Sequence, residues 1–201
     1  MADPVLHFLV IGHSFIVRAS RYLYSQCDYN FTLPRVSHQV KLQGCSGAHV
    51  NDLMPLFHDA YFHSDVVILD IGTNDLTNNR ITAQSLALQV FNTARRLTRY
   101  VGVKHVIILE VLPRTTWGKH GAPISFSSKV SHYNSMLKNL VFQYKETVPV
   151  TFWFHKGIAS KIENYISDGV HLNSSGLQKY IKSVRRAILK TSRVVRTNYY
   201  R

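Results

Sequence analysis

The sequence predicts an α/β domain in which one parallel β-sheet is sandwiched between two layers of helices. Three observations carry that expectation. Short, β-branched apolar runs alternate along the chain with helical segments of about ten to twenty residues. Two of those runs, VVILDI (66–71) and HVIILEVL (105–112), are apolar at almost every position, as strands buried on both faces are. The 201 residues suit one compact domain, and no internal repeat, low-complexity stretch or linker divides them.

The elements follow in order. Residues 6–11 form a short buried strand that stops on Gly12. Phe15, Ile16, Ala19 and Leu23 then recur with helical spacing over 15–24, and Ser14 stands where an N-cap would begin the helix. VSHQVKL (36–42) alternates apolar and polar residues, which reads as a second strand, and leads into the loop GCSGAH. A helix over 52–62 precedes the strand 66–71. A longer helix over 82–100 precedes the strand 105–112, which Pro113 stops. The last third gives a helix over 125–145, a fifth strand VTFWF (150–154), read as core, and a helix over 174–190. One domain therefore spans 1–190, followed by a basic tail over 191–201. The sheet has five strands.

Bulk composition narrows the function classes. Hydrophobic residues make up 45% and charged residues 17%, an ordinary globular mixture. Cys27 and Cys45 are too few for a disulfide framework and read as two reduced thiols. No run has the length of a transmembrane helix, and residues 5–11 lack the basic flank of a secretory signal, so a cytoplasmic or nuclear protein is expected. The net charge of +13 is the unusual property. From Lys179 onward there are eight Lys or Arg and no acid, which points to nucleic acid or an anionic membrane as a partner.

In doubly wound sheets ligands bind at the carboxyl ends of the strands, so the loops there deserve inspection. They hold GHS with Ser14, GCSG with Gly47, GTND with Asn74, and DGVH with Asp168 and His171. A serine hydroxyl is a poor nucleophile until a base removes its proton. His171 supplies an imidazole, and Asp168, three positions earlier, can fix its tautomer. The backbone N–H groups of Ser14 and Gly47, with the amide of Asn74, would supply donors to an oxyanion. Taken singly, each residue has a plainer reading: Ser14 as a helix cap, Asn74 and Asp75 as turn formers, Asp168 and His171 as a surface pair. Taken together they account for nucleophile, base, orienting group and oxyanion donors. Asp70, Asp75 and Glu110 read as structural.

These four blocks, in this order, resemble the SGNH hydrolases, also called GDSL esterases and lipases, over about residues 5–190. The resemblance implies a flavodoxin-like sheet and hydrolysis of a small-molecule or lipid carboxylic ester, with no cofactor and no metal. The α/β-hydrolase elbow G-x-S-x-G is absent, since Ile16 stands where its second glycine would be. One departure concerns the nucleophile loop: the family usually places Asp before the serine, and this chain has His13. GHSFIVR, the LPR at 112–114 and DGVHLNSSGLQKY further resemble SGNH domains associated with animal retrotransposons. A rival expectation follows, of a catalytically vestigial module that binds nucleic acid or anionic lipid. The remaining nine histidines form no H-E-x-x-H motif, and no phosphate-binding glycine loop occurs. The segment RTTWGKHGAP (114–123) is long for a connection in this fold, and reads either as cover for an acyl chain or head group or as variable surface.

Overall fold

The computed structural model describes residues 4–114, 123–158 and 161–199. Five parallel strands form one sheet in the order β2-β1-β3-β4-β5: β1 (Leu6–Gly12), β2 (His38–Gly44), β3 (Val66–Asp70), β4 (His105–Leu109) and β5 (Val150–Trp153). In sequence order they alternate with α1 (Ser14–Ser25), α2 (Leu53–Tyr61), α3 (Ala83–Arg96), α4 (Pro123–Gln143) and α5 (Ser174–Tyr199). The expected three-layer architecture is present.

The two faces of the sheet carry separate cores. Leu9, Ile11, Val67 and Leu69 point to one face, against Leu86, Val90 and Phe91 of α3 and Tyr133 and Leu137 of α4. Phe8, Val10, Val66 and Ile68 point to the other, against Ile16 and Leu23 of α1 and Tyr180, Val184 and Ile188 of α5. Every residue of β3 and β4 is buried, which is why those strands read as continuous apolar runs.

Several boundaries differ from expectation, each for a local reason. β4 ends at Leu109 rather than 112, because Asn134 of α4 takes over as partner: it receives the N–H of Val111 (3.0 Å) and donates to its carbonyl (2.9 Å). β2 starts two residues later than the alternating pattern suggested. The aromatic run VTFWF is not core throughout. As an edge strand, β5 has a partner on one side only, so Val150 is buried, Phe152 and Trp153 are half-buried, and Phe154 is 45% exposed. The largest difference lies at the end of the chain. The final helix does not stop at 190; residues 191–199, expected as a tail, continue α5 with Thr191, Ser192 and Val195 buried. No described helix is long and apolar enough to cross a membrane.

Candidate active site

The strand order reverses between β1 and β3, so the loops leaving these neighbours diverge to opposite sides and leave a crevice at the sheet's carboxyl edge. Gly12 ends β1 so close to β3 that a Cβ there would lie 2.1 Å from the carbonyl oxygen of Asp70. This glycine is what lets the chain turn directly from strand into helix. Ser14 becomes the first residue of α1, half-buried at the crevice.

His13, not Ser14, is the cap of α1. Its Nδ1 accepts the N–H of Phe15 (3.5 Å), and its Nε2 lies 3.2 Å from Asp70 Oδ1. The ring is buried, and Asp70 also accepts a hydrogen bond from the Tyr180 hydroxyl (2.6 Å). Burial alone would raise the Asp70 carboxyl, but His13 and Tyr180 hold it below the usual carboxylate range. The departure at position 13 is thus built into a buried His–Asp–Tyr cluster under the turn, and His13 faces away from any base role.

The loop before α5 brings His171 across the crevice, 157 positions from Ser14 in sequence. Ser14 Oγ and His171 Nε2 are 3.1 Å apart, and His171 Nδ1 and Asp168 Oδ2 are 2.6 Å apart. The other oxygen of Asp168 accepts the N–H groups of Val170 and His171, both at 2.8 Å. Desolvation alone would push the Asp168 carboxyl up; the bonds from His171 and Val170 outweigh it and hold the group below its ordinary value. An ionised carboxylate fixed from both sides in this way holds the proton of His171 on Nδ1 and leaves the Nε2 lone pair facing Ser14.

The other two expected residues reach the same crevice. Gly47 has φ +81, a conformation side chains disfavour, and its position has no neighbour within 4 Å, so the backbone there is open. Asn74 donates one amide hydrogen to the Ala48 carbonyl (3.0 Å), and its Oδ1 lies 3.5 Å from Arg114 Nη2. That clamp orients the side chain and leaves a second amide hydrogen. Asp75 is buried and accepts the N–H of Val50 (3.3 Å), bracing the Gly47 loop against the Asn74 loop as expected.

All five expected residues meet at or beside one pocket of about 630 Å³, where Ser14, Gly47, Asn74 and His171 form part of the wall. Its apolar wall is supplied by Phe15, Val17, Leu112, Val170 and Leu177. Sequence reasoning missed the charged wall. Arg18 and Arg21 follow Ser14 by four and seven residues, one face of α1, and join Arg114 at the pocket. Helical spacing counted from Ser14 would have found the first two. The loop residues 115–122, including Trp117, Lys119 and His120, lie outside the described residues. Among the described residues no cluster of side chains could hold a metal ion.

Comparison with known proteins bears on the fold and the family. The chain is similar to a GDSL-like lipase from Bacteroides thetaiotaomicron (TM-score 0.72, 17% identity, 95% of this chain and 93% of that one). It is similar to an acetylxylan esterase from Geobacillus stearothermophilus (TM-score 0.64, 14% identity, 92% and 94% covered). A putative platelet activating factor protein from Streptococcus pneumonia also resembles it (TM-score 0.65, 18% identity, 91% and 84% covered). No curated protein matches the chain. At these identities the likeness is one of fold. The sequence pattern of a family, in contrast, matches residues 10–179, from the end of β1 to the first turns of α5. By that match the chain belongs to the GDSL-like lipase/acylhydrolase family, and it is a hydrolase of that type.

Proposed function

We propose that the chain hydrolyses short-chain carboxylic esters, acetyl esters first among them, through an acyl-enzyme on Ser14. The observation that carries this reading is the unbroken relay from Ser14 Oγ through His171 to Asp168, at 3.1 and 2.6 Å. Ser14 gives its proton to His171 Nε2 as its oxygen attacks the ester carbonyl carbon. The carbonyl electron pair moves onto oxygen, where the N–H groups of Ser14 and Gly47 and the amide of Asn74 receive it. The start of α1 adds its positive dipole end at the same place. The intermediate collapses, the alcohol oxygen takes the proton from His171 and leaves, and the acyl group remains on Ser14. Water then repeats the sequence: His171 takes its proton, and the acid departs as Ser14 recovers its own. Asp168 orients the imidazole and offsets its positive charge in both halves.

The pocket supports a short acyl group on a polar, negatively charged alcohol. Arg18, Arg21 and Arg114 line it, and none of the described residues lining it is acidic. Structural relatives named as acetylxylan and acetyl esterases favour the acetyl group. The intact relay weighs against a vestigial module. The test is hydrolysis of p-nitrophenyl acetate and longer acyl homologues. Ser14→Ala should lose at least about a thousandfold in kcat. Equal rates in both proteins, with no labelling of Ser14 by a fluorophosphonate, would refute the reading. Aryl acetates bearing a carboxylate should show higher kcat/KM than neutral ones, and Arg18→Gln with Arg21→Gln should erase that preference.

A further inference from the structure

The pocket around Ser14 does not end at α1. A trough of about 440 Å³ adjoins it and shares Val17 and Arg21 as lining residues. The trough passes Ser20 and the carboxyl end of β2. It meets a groove of about 600 Å³ at Gln43 and Leu56, which line both. The three depressions thus succeed one another from the nucleophile, around the open edge of the sheet, to the face of β2 beside α2.

The groove has its origin in the alternating sequence of β2. Gln39, Lys41 and Gln43 share one face of the strand, and their register partners His7, Leu9 and Ile11 share it on β1. On β1 that face is largely apolar and covered, since Leu9 and Ile11 belong to the same core as Leu53 and Tyr61 of α2. On the edge strand β2 it is polar, and it forms a floor of two amides and one ammonium. Pro55, Leu56, His58 and His63, from α2 and the turn after it, form the facing wall. Asp59, the acid of that wall, lies 3.3 Å from His58 Nδ1. Gln39 and Lys41 are exposed, whereas Gln43 Oε1 is buried and no donor reaches it among the described residues. An amide oxygen so placed, where trough and groove join, suits a hydroxyl of a ligand.

We propose that this path holds the alcohol part of the ester as an acidic oligosaccharide chain. The acylated sugar sits at Ser14, and the further sugars run past Arg21 and Gln43 onto the β2 floor. The proposal rests on the reading of Ser14 as the nucleophile and names the substrate class of that site. Glutamine amides serve it because each offers both donors and an acceptor to neighbouring hydroxyls. Arg21 and Lys41 supply charge for carboxylates along the chain. From Gln43 to Gln39 the floor runs about 13 Å, room for sugars beyond the acylated one. A lipid chain would need an apolar lining, and this floor is polar. A peptide would add as a strand to the open edge of β2, but that edge is blunted by Asn30. Its Oδ1 accepts the Val40 N–H (2.8 Å), and its Nδ2 donates to the His38 carbonyl (3.0 Å).

The experiment measures kcat/KM for acetate release from O-acetylated oligogalacturonates of one to six sugars, with O-acetylated xylo-oligosaccharides as the neutral series. The readout is the ratio of the six-sugar to the one-sugar value. In the wild type that ratio should reach at least about tenfold in the acidic series, because binding energy from remote sugars is spent at the reacting centre. Gln39→Ala with Gln43→Ala should bring it to within about twofold of unity, and Lys41→Gln should lower it at least about threefold. Calorimetric titration of Ser14→Ala should show the six-sugar chain bound more tightly than the one-sugar ester, a difference that Gln39→Ala with Gln43→Ala removes. Melting temperatures check that each variant is folded. A ratio near unity in a wild type whose hydrolysis depends on Ser14 would overturn the proposal and leave the Ser14 reading intact. So would a ratio that the glutamine variants leave unchanged. A ratio as large in the neutral series would overturn the acidic assignment. Hydrolysis that survives Ser14→Ala would overturn the Ser14 reading itself, and with it the placement of the acylated sugar.

Discussion

At the scale of single residues, position 13 shows how one substitution is absorbed. In the family resemblance the residue before the nucleophile is an aspartate, yet restoring it here should harm the protein. His13→Asp would set two carboxylates against each other in a buried site, because Asp70 lies 3.2 Å from the present ring. The expected loss is about 3 kcal/mol or more of unfolding free energy at neutral pH, measured by urea titration. Part of it should return on acidification, as one of the two carboxyls takes up a proton. His13→Asn keeps a donor towards Asp70 and should cost less. If His13→Asp were as stable as the wild type, the His13–Asp70 pair would carry no structural weight. The site residues themselves were legible because each sits in a short loop with its own chemistry: Ser14, Gly47, Asn74, Asp168 and His171. The His13–Asp70–Tyr180 cluster was not, since its members are up to 167 positions apart and only packing brings them together. The arginine wall was half legible, Arg18 and Arg21 through helical spacing, Arg114 only through the fold.

At the scale of elements, the central strands were easy to read and the ends were not. β3 and β4 declare themselves by composition, because burial on both faces leaves no room for polar residues. Edge strands depend on what lies beside them, which composition does not encode; hence the misreading of β5 as core. The same holds for α5, whose last turns are rich in arginine and read as a solvated tail. In the structure the Ser192 hydroxyl lies 2.9 Å from Nε2 of buried His38, and Arg196 donates to the Ser37 carbonyl (2.8 Å). Val195 is buried against the α1 side of the sheet. Truncation after Lys190 should therefore destabilise the whole domain, by roughly 3 kcal/mol from the buried valine and the orphaned histidine. Thermal unfolding of the truncated chain would check it. A melting temperature equal to that of the full chain would mean that residues 191–199 contribute no packing, as a free tail would.

At the scale of the molecule, buried histidines set the dependence of stability on pH. His105 and His155 are both buried and held neutral by desolvation, each pushed down to about 4; His38 is lowered as well, by burial and by Arg196 and Arg185. In the unfolded chain these rings titrate near 6.5. Between pH 6.5 and about 4 the unfolded state therefore binds more protons than the folded one, and stability falls as pH falls. Each fully shifted histidine contributes a slope of up to about 1.4 kcal/mol per pH unit in that window. Glu110 acts in the opposite sense: burial raises its carboxyl, outweighing the hydrogen bond from the His155 N–H, so protonation favours its folded form. Asp70 and Asp168 lie below their ordinary value of 3.8, so the stability they lend is lost only under still more acidic conditions. The sum is a fold stable above pH 6.5 that weakens steadily towards pH 4.5, before the aspartates begin to titrate. Urea unfolding at unit pH intervals should show that slope. His105→Gln, which keeps a donor for the Thr151 hydroxyl now 2.8 Å from the ring, should reduce it by up to about 1.4 kcal/mol per unit. A slope that is flat between pH 6.5 and 4.5, or that His105→Gln leaves unchanged, would mean that these rings take up protons without unfolding, and that water reaches the sheet edge more freely than its burial implies.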